Sequence, residues 1–436
     1  MQKLTAQNNL TESLKMTNVP NNMKNVLVLT GRYKPNMSAN SVCINNIIEL
    51  LPRDKYSVTC ICYEDYQKTE DENVTVYKVS RGHIKSFIYK HEKEQNFFLK
   101  ILLKALKLVD KLLLLCHTPI WPWTDILYTK NVYKLADKLH KKICFNYVIS
   151  VHMPLSSLIV GKKLKEKYPE ICFVPYFLDS LSGGRPLSFF SDKWNLKKKL
   201  KWERKILPYA DKIVVMEASR THNEKYNSNW DYYKKFIYLD IPLLTQVKEI
   251  GSVNNVFNNG KINVVYTGTA NYPMRNIIYF INVVNEISKL SENKIVFHII
   301  GQSNCESLFN CPDIKYHLPV AHERLTEYLN SADIFINFGV KTPSAISGKI
   351  FEYMSYGKPI ISTYSIENEA CIPYLKKYPL ALMVNENIED YRFQAENIIK
   401  FIYNSVDKKI DVIEIRDIFK KNMPETFIED IFNEVV

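Results

Sequence analysis

Short runs of aliphatic and β-branched residues recur along the first half of the chain, at 26–30, 57–62, 74–79, 147–151, 171–176 and 213–216, with stretches of helical periodicity between them. Each run is nearly continuous in hydrophobicity rather than alternating, as expected of parallel strands covered by helices on both faces. The pattern lapses over 245–260, rich in Asn, Ser and Gly, and resumes with runs at 262–266, 295–300, 334–337, 359–361 and 381–384. A chain of 436 residues is too long for one ordinary core. It reads as an α/β protein of two doubly wound, Rossmann-like domains at 23–245 and 262–410, joined by a linker at 246–261. Sites in such layers open at the C-terminal ends of the strands, so two facing domains would share a cleft. Residues 1–22, polar and Asn-rich, read as a loose extension, and 411–436 as a helical segment packing back on the first domain.

Two segments interrupt the alternation. Over 97–115, Lys100, Lys104, Lys107 and Lys111 fall on one narrow stripe of a helix while Leu, Ile and Val fill most of the rest, and Trp121-Pro122-Trp123 follows. That geometry suits a helix lying on anionic lipid, or a packed helix with its lysines in water. Over 194–205, six basic residues accompany Trp194 and Trp202, which suits a membrane, a lipid-linked acceptor or a solvated basic face.

The richest stretch is Ser347-Gly348-Lys349-Ile350-Phe351-Glu352-Tyr353-Met354-Ser355-Tyr356-Gly357-Lys358-Pro359. It reads as a loop, a helix of about ten residues and a Gly-Lys-Pro turn into a strand. Winding the helix puts Lys349, Glu352 and Tyr356 on one face and turns Ile350 and Met354 toward a core. Backbone N–H groups at Ser347, Gly348 and Lys349, together with the Lys349 ammonium, form an anion pocket. Glu352, one turn on, can accept two hydroxyl hydrogen bonds, as a ribose diol offers. Upstream, Arg275 follows the Gly268 turn, and Arg275 and Lys349 read as a phosphate clamp; an exposed arginine and a surface Lys–Glu pair are the plainer alternatives. The residues together suggest a sugar nucleotide.

The stretch resembles the donor-binding segment of GT-B-fold glycosyltransferases, in particular the retaining family 4 group (glycosyl transferases group 1), with its Lys-x-x-Glu-Tyr-Met helix followed by Gly-x-Pro. The resemblance extends to Val26-Leu27-Val28-Leu29-Thr30-Gly31-Arg32-Tyr33-Lys34-Pro35 and Ser38-Ala39-Asn40, similar to the first strand and substrate loop. It also takes in Thr267-Gly268-Thr269 with Arg275. It implies a GT-B architecture and a transferase of hexosyl type. Glu352 would be the second glutamate of an E-x7-E pattern, in contact with the ribose; Ser344 stands where the first would be. The stretch from Leu318 through Val320 and Leu325 to Asp333 resembles the lining of the base pocket beside the Gly301 loop. Asp179 matches the position that lies against the donor sugar, and His152, also just past an expected strand, is a second candidate there. Gly183-Gly184-Arg185 would be a mobile acceptor loop. In this family the leaving phosphate assists the incoming hydroxyl on the same face.

Composition narrows the class further. A formal charge of +12 implies an anionic partner: nucleic acid, acidic lipid or a phosphorylated substrate. The lysines lie on helical faces rather than an aromatic strand platform, which disfavours nucleic acid. The nine cysteines lack C-x-x-C or any metal-ligand spacing, and no Asp-x-Asp occurs, so neither a metal nor another cofactor is expected, and a reducing cytoplasm is the simplest setting. No secretory signal is visible, and the longest strictly apolar run, 112–116, falls far short of the ~20 residues of a membrane span. Glycine is scarce, 12 in all, so it matters that Gly31, Gly268, Gly301, Gly339, Gly348 and Gly357 all lie at or near ends of apolar segments, where a nucleotide would approach backbone. The expected activity is transfer of a sugar from a nucleotide to a glycan or lipid-linked acceptor in surface polysaccharide synthesis, at the cytoplasmic membrane face. A GT-B-fold sugar-nucleotide epimerase and a non-catalytic basic membrane-binding protein are the alternatives.

Overall fold

The computed structural model describes residues 23–34, 37–64, 71, 73–91, 96–184, 187, 189–245, 255–292, 294–320, 322–341 and 346–433. The 1–22 extension, most of the expected linker, Arg185 and Ser344 lie outside the described residues.

The strands are β1 (Lys24–Leu29), β2 (Tyr56–Tyr63), β3 (Val74–Val79), β4 (Tyr147–Val151), β5 (Cys172–Phe177), β6 (Ile213–Met216), β7 (Phe236–Leu239), β8 (Ile262–Thr267), β9 (Ile295–Ile300), β10 (Ile314–His317), β11 (Ile334–Asn337), β12 (Ile360–Tyr364) and β13 (Ala381–Asn385). They form a seven-stranded sheet in the order β3-β2-β1-β4-β5-β6-β7 and a six-stranded sheet in the order β10-β9-β8-β11-β12-β13. All five pairs of the second sheet are parallel, as are β1–β2, β1–β4, β2–β3 and β4–β5 of the first. In both sheets the strand order reverses once, between β1 and β4 and between β8 and β11. Such reversals open a crevice at the carboxyl ends of the two flanking strands, because the crossover helices leave on opposite faces.

Each expected strand is present within a few residues. β7 and β10 were not expected. Both are four-residue strands at sheet edges, where only one neighbour and partial cover are available, so the sequence need not be continuously apolar there; β10 reads Ile-Lys-Tyr-His.

The described residues group into two compact units. One takes its described residues from Met1–Asn36, Leu51–Tyr176 and Pro186–Ile213; the other takes its own from Met37–Leu50, Phe177–Arg185 and Val214–Val436. In the second unit both faces of the six-stranded sheet are covered. Val264 and Tyr266 of β8 pack with Ile277, Phe280 and Phe297 on one side, while Val265 between them packs with Phe335, Ile350, Phe351 and Met354 on the other. Burial on both faces is what makes these strands read as unbroken apolar runs. The Pro424–Phe432 helix packs against the Ala39–Leu50 helix and β7, all within this unit.

Candidate functional site

The crevice of the second unit is built by two glycines. Gly268, directly after β8, has φ +109°, and Gly301, directly after β9, has φ +141°, a region that side chains with a Cβ rarely enter. The two turns are in contact: a Cβ on Gly301 would lie 2.2 Å from the Gly268 carbonyl oxygen. The Gly268 N–H donates to the Ile300 carbonyl at 2.7 Å and the Gly301 N–H to the His317 carbonyl at 3.0 Å. The Tyr316 hydroxyl donates to the Gly301 carbonyl at 2.8 Å, so the unexpected β10 holds this turn in place.

Over Gly268 lies Lys349. A Cβ at Gly268 would meet the Lys349 Cε at 2.3 Å and Nζ at 2.5 Å. The helix that carries this lysine, Lys349–Ser355, is fixed to β8 through Tyr353. The Tyr353 ring stacks on Phe335 at 4.5 Å, and its hydroxyl accepts the Thr267 N–H at 2.9 Å. Arg275, 8% exposed, comes to the same place from the turn before the Ile277–Leu290 helix and donates through a terminal guanidinium nitrogen to the Phe338 carbonyl after β11. This burial removes its reading as an ordinary exposed arginine. Both cations face the Tyr266 ring, Arg275 at 5.8 Å and Lys349 at 5.9 Å from its centre, within the reach of a cation–π attraction.

Two cations share this crevice, and it shows in the lysine. Burial first, and then Arg275, push the Lys349 ammonium down to about 8, with Glu352 opposing. Like charges gathered away from water are unfavourable unless an anion joins them, which makes the crevice a candidate anion site. Among the described residues no cluster of three or more His, Cys, Asp or Glu could hold a metal ion.

Two further acidic groups stand behind the clamp, and sequence reading missed both. Glu369 is 2% exposed. It accepts the Val340 N–H through Oε1 at 3.2 Å, and among the described residues its Oε2 has no partner. Burial and then Glu386 push its carboxyl up to about 7, against the Val340 hydrogen bond and the weaker pull of Arg275. Glu386 is likewise raised by burial. Neither belongs to a motif; the one available signal was a pair of glutamates placed just after apolar runs that end at one sheet edge.

The structure changes three assignments in the 347–359 stretch. Ser347 is 6% exposed and turned inward, its N–H donating to Cys371 Sγ at 3.2 Å and its hydroxyl to Asn337 Oδ1 at 2.9 Å, so it offers no N–H to an anion. At Gly348 the missing Cβ makes room for Leu243 Cδ1, which would lie 2.5 Å away. Tyr356, whose backbone continues the helix and whose hydroxyl feels Glu352, is buried rather than open: its ring packs edge-on against Phe335 at 5.5 Å in the core. Ile350 and Met354 are fully buried as expected.

Val320 and Leu325 are half-buried and pack on the core cluster that includes Ile300, next to the Gly301 turn. Asp179 is exposed, in the second unit. Ser38 caps the Ala39–Leu50 helix, its N–H donating to Ser41 Oγ at 2.7 Å while the Ser41 N–H returns a bond to Ser38 Oγ at 3.3 Å; Asn40 lies in that helix's first turn. In the first unit, Gly31 after β1 sits against the Met153 carbonyl, 3.1 Å from where its Cβ would be. His152 after β4 is 6% exposed, with its N–H donating to the Tyr176 carbonyl at 2.8 Å. Gly31 and His152 thus flank the strand reversal of the first sheet.

Gly301→Ala should be the most damaging small substitution in the crevice. A methyl cannot occupy 2.2 Å from a backbone oxygen, and φ +141° adds strain, so roughly 2–4 kcal/mol of stability should be lost. Gly260→Ala is the control, with φ +66° and nothing within 4 Å, at a cost of about 1 kcal/mol. Urea unfolding of both measures the difference; equal losses would mean that the Gly268–Gly301 contact can relax.

Comparison of the sequence with curated proteins finds no match. Residues 261–390 match the family model described as glycosyl transferases group 1, a span that holds Gly268, Arg275, Gly301, Lys349, Glu352 and Glu369. Among solved structures, Anabaena HepE, determined in complex with UDP and glucose, is similar with a TM-score of 0.53 at 12% identity over 94% of this chain and 95% of that one. Trehalose-6-phosphate synthase OtsA is similar with a TM-score of 0.58 at 11% identity, over 94% and 100%, and WaaG, a glycosyltransferase of lipopolysaccharide biosynthesis, with 0.54 at 9% identity, over 94% and 100%. At such identities these likenesses speak for the fold, and the fold is GT-B. Residues 261–390 thus carry a glycosyl transferases group 1 domain, in a chain whose fold is GT-B.

Proposed function

We propose that this protein is a retaining glycosyltransferase that moves a sugar, of hexosyl type, from a nucleoside-diphosphate sugar to a glycan or lipid-linked acceptor in surface polysaccharide synthesis. It would work in the cytoplasm at the membrane face. The observation that carries the donor side is the pair of cations, buried Arg275 and half-buried Lys349, around Tyr266 at the Gly268–Gly301 crossing. As the bond from the anomeric carbon to the diphosphate breaks, negative charge collects on the leaving phosphate, and these two groups stabilise it without a metal. Glu352 accepts from the ribose hydroxyls, and Val320 and Leu325 line the base beside Gly301. Residues 262–410 bind the donor in this reading, and 23–245 the acceptor. Gly31, Ser38 and Asn40 serve the substrate loop, while Asp179 and His152 lie against the transferred sugar. HepE, solved with UDP and glucose, supports a uridine donor as the first to try.

Thermal unfolding against UDP, GDP, ADP, CMP and their sugar conjugates tests the reading. A ligand at 100 times its Kd adds about 2.7 kcal/mol, so one nucleoside diphosphate should raise the melting temperature by several degrees, and others should not. No shift with any of them would remove the donor site. A donor that is converted without any acceptor would favour the epimerase.

A further inference from the structure

The most unusual surface of the molecule lies in the first unit, on the helix Phe97–Cys116. At 100° per residue, Leu99, Leu103, Leu106 and Asp110 share one face. This face is turned inward: Leu103 is 6% exposed, the helix packs on the His83–His91 helix, and Asp110 lies 4.0 Å from Lys85. The opposite face is apolar and uncovered. Phe97 is 70% exposed, Phe98 81%, Ile101 52%, Leu108 59% and Leu112 54%. So much contiguous apolar surface is uncommon on a soluble protein. Between the two faces runs the stripe of Lys100, Lys104, Lys107 and Lys111.

We propose that this helix docks the protein on an anionic lipid bilayer, with its apolar face in the acyl boundary and its lysine stripe at the headgroups. A transmembrane placement does not fit, because no helix among the described residues is long and apolar enough to cross a membrane. A second copy of the chain fits poorly. Two such helices meeting through their apolar faces would bring eight lysines together, and the only carboxylate on the helix, Asp110, points inward to Lys85. A bilayer supplies both an acyl boundary for the apolar face and negative charge beside the stripe.

The basic segment at 194–205 is not part of this surface's aromatic anchor. Trp202 donates through Nε1 to the Ile120 and Trp121 carbonyls, each at 3.1 Å, and packs edge-on against Trp123. These tryptophans are occupied with the chain itself, and Lys199 is buried.

The inference adds to the proposed function a reason for the chain to work at a membrane, and it can fail separately, because donor binding is read independently. Flotation of the full-length protein with vesicles of phosphatidylcholine alone, and of phosphatidylcholine mixed with phosphatidylglycerol, is the test. Binding should require the anionic lipid and fall steeply with salt. Each lysine of the stripe changed to Gln should weaken it about fivefold. The double variant Leu108→Glu, Leu112→Glu removes only exposed side chains; it should lose flotation and keep its melting temperature and nucleotide-dependent shift. Equal binding to neutral vesicles, or undiminished flotation of the double variant or of the four-lysine variant, would overturn the proposal. So would a stable dimer in solution that the double variant dissociates.

Discussion

Lys349→Met should bind the donor nucleotide at least a hundredfold more weakly than the unaltered protein, a loss of about 3 kcal/mol, and yet be the more stable of the two without ligand. Both effects come from one cause. The ammonium sits against Gly268 with Arg275 nearby, a favourable place only when phosphate is present. Its ordinary value of 10.5 falls to about 8 in the folded chain. Below pH 8 both folded and unfolded chains carry the proton, and the penalty for burying the charge is complete. Between 8 and 10.5 the unfolded chain holds a proton that the folded chain has released, so stability rises with pH across that window. Part of the side chain remains exposed, so the penalty is set at about 2 kcal/mol rather than the full value of the shift. Lys349→Met should gain about that much at pH 7, with a flatter profile above pH 8. Donor affinity of the unaltered protein runs the other way. Above pH 8 binding must first recover the proton, so affinity should fall toward tenfold per pH unit. Titration calorimetry with the nucleotide at pH 7 and 9, beside melting curves without it, measures both. A variant that binds as before would remove Lys349 from the donor site.

Glu352→Ala is the second large effect. A carboxylate that accepts two ribose hydroxyls contributes about 1.5–3 kcal/mol per bond, so kcat/KM should drop by a hundredfold or more, with the fold intact because Glu352 is only partly buried. The specific readout is the sugar of the nucleotide. The unaltered enzyme should discriminate strongly against a 2′-deoxyribose donor, and the variant should hardly distinguish the two. Loss of Glu352 also removes the group that opposes the lowering of Lys349, so the alkaline fall in donor affinity should begin at a lower pH. A variant that still discriminates as the unaltered enzyme does would place the ribose elsewhere.

Arg275 and Lys349 could be singled out as candidates, and the glycine turns placed, because the signals are local. A glycine after an apolar run announces a turn where backbone is approached, and a lysine after a glycine at a helix start announces an anion. Ser347 and Tyr356 belong to the same stretch and were misread. Their neighbours Cys371, Asn337 and Phe335 come from β11 and from the segment after β12, and no spacing within thirteen residues reveals which atoms a distant strand will present. Glu369 was silent for the same reason: its burial and its proximity to Arg275 and Glu386 arise from three separate loops.

The sequence by itself determined the doubly wound α/β character and the core strands of both sheets, and it picked out Arg275 and Lys349 as candidates to hold a phosphate. Continuous burial imposes continuous hydrophobicity, and a left-handed turn imposes glycine. Only the tertiary structure decided that Arg275 and Lys349 meet at Tyr266, that Gly301 must leave space for the Gly268 carbonyl, and that the outer face of the lysine-bearing helix is uncovered. Each of these is a distance between segments far apart in the chain, set by strand order and packing, and a pattern of residue types along the chain carries no distances of that kind.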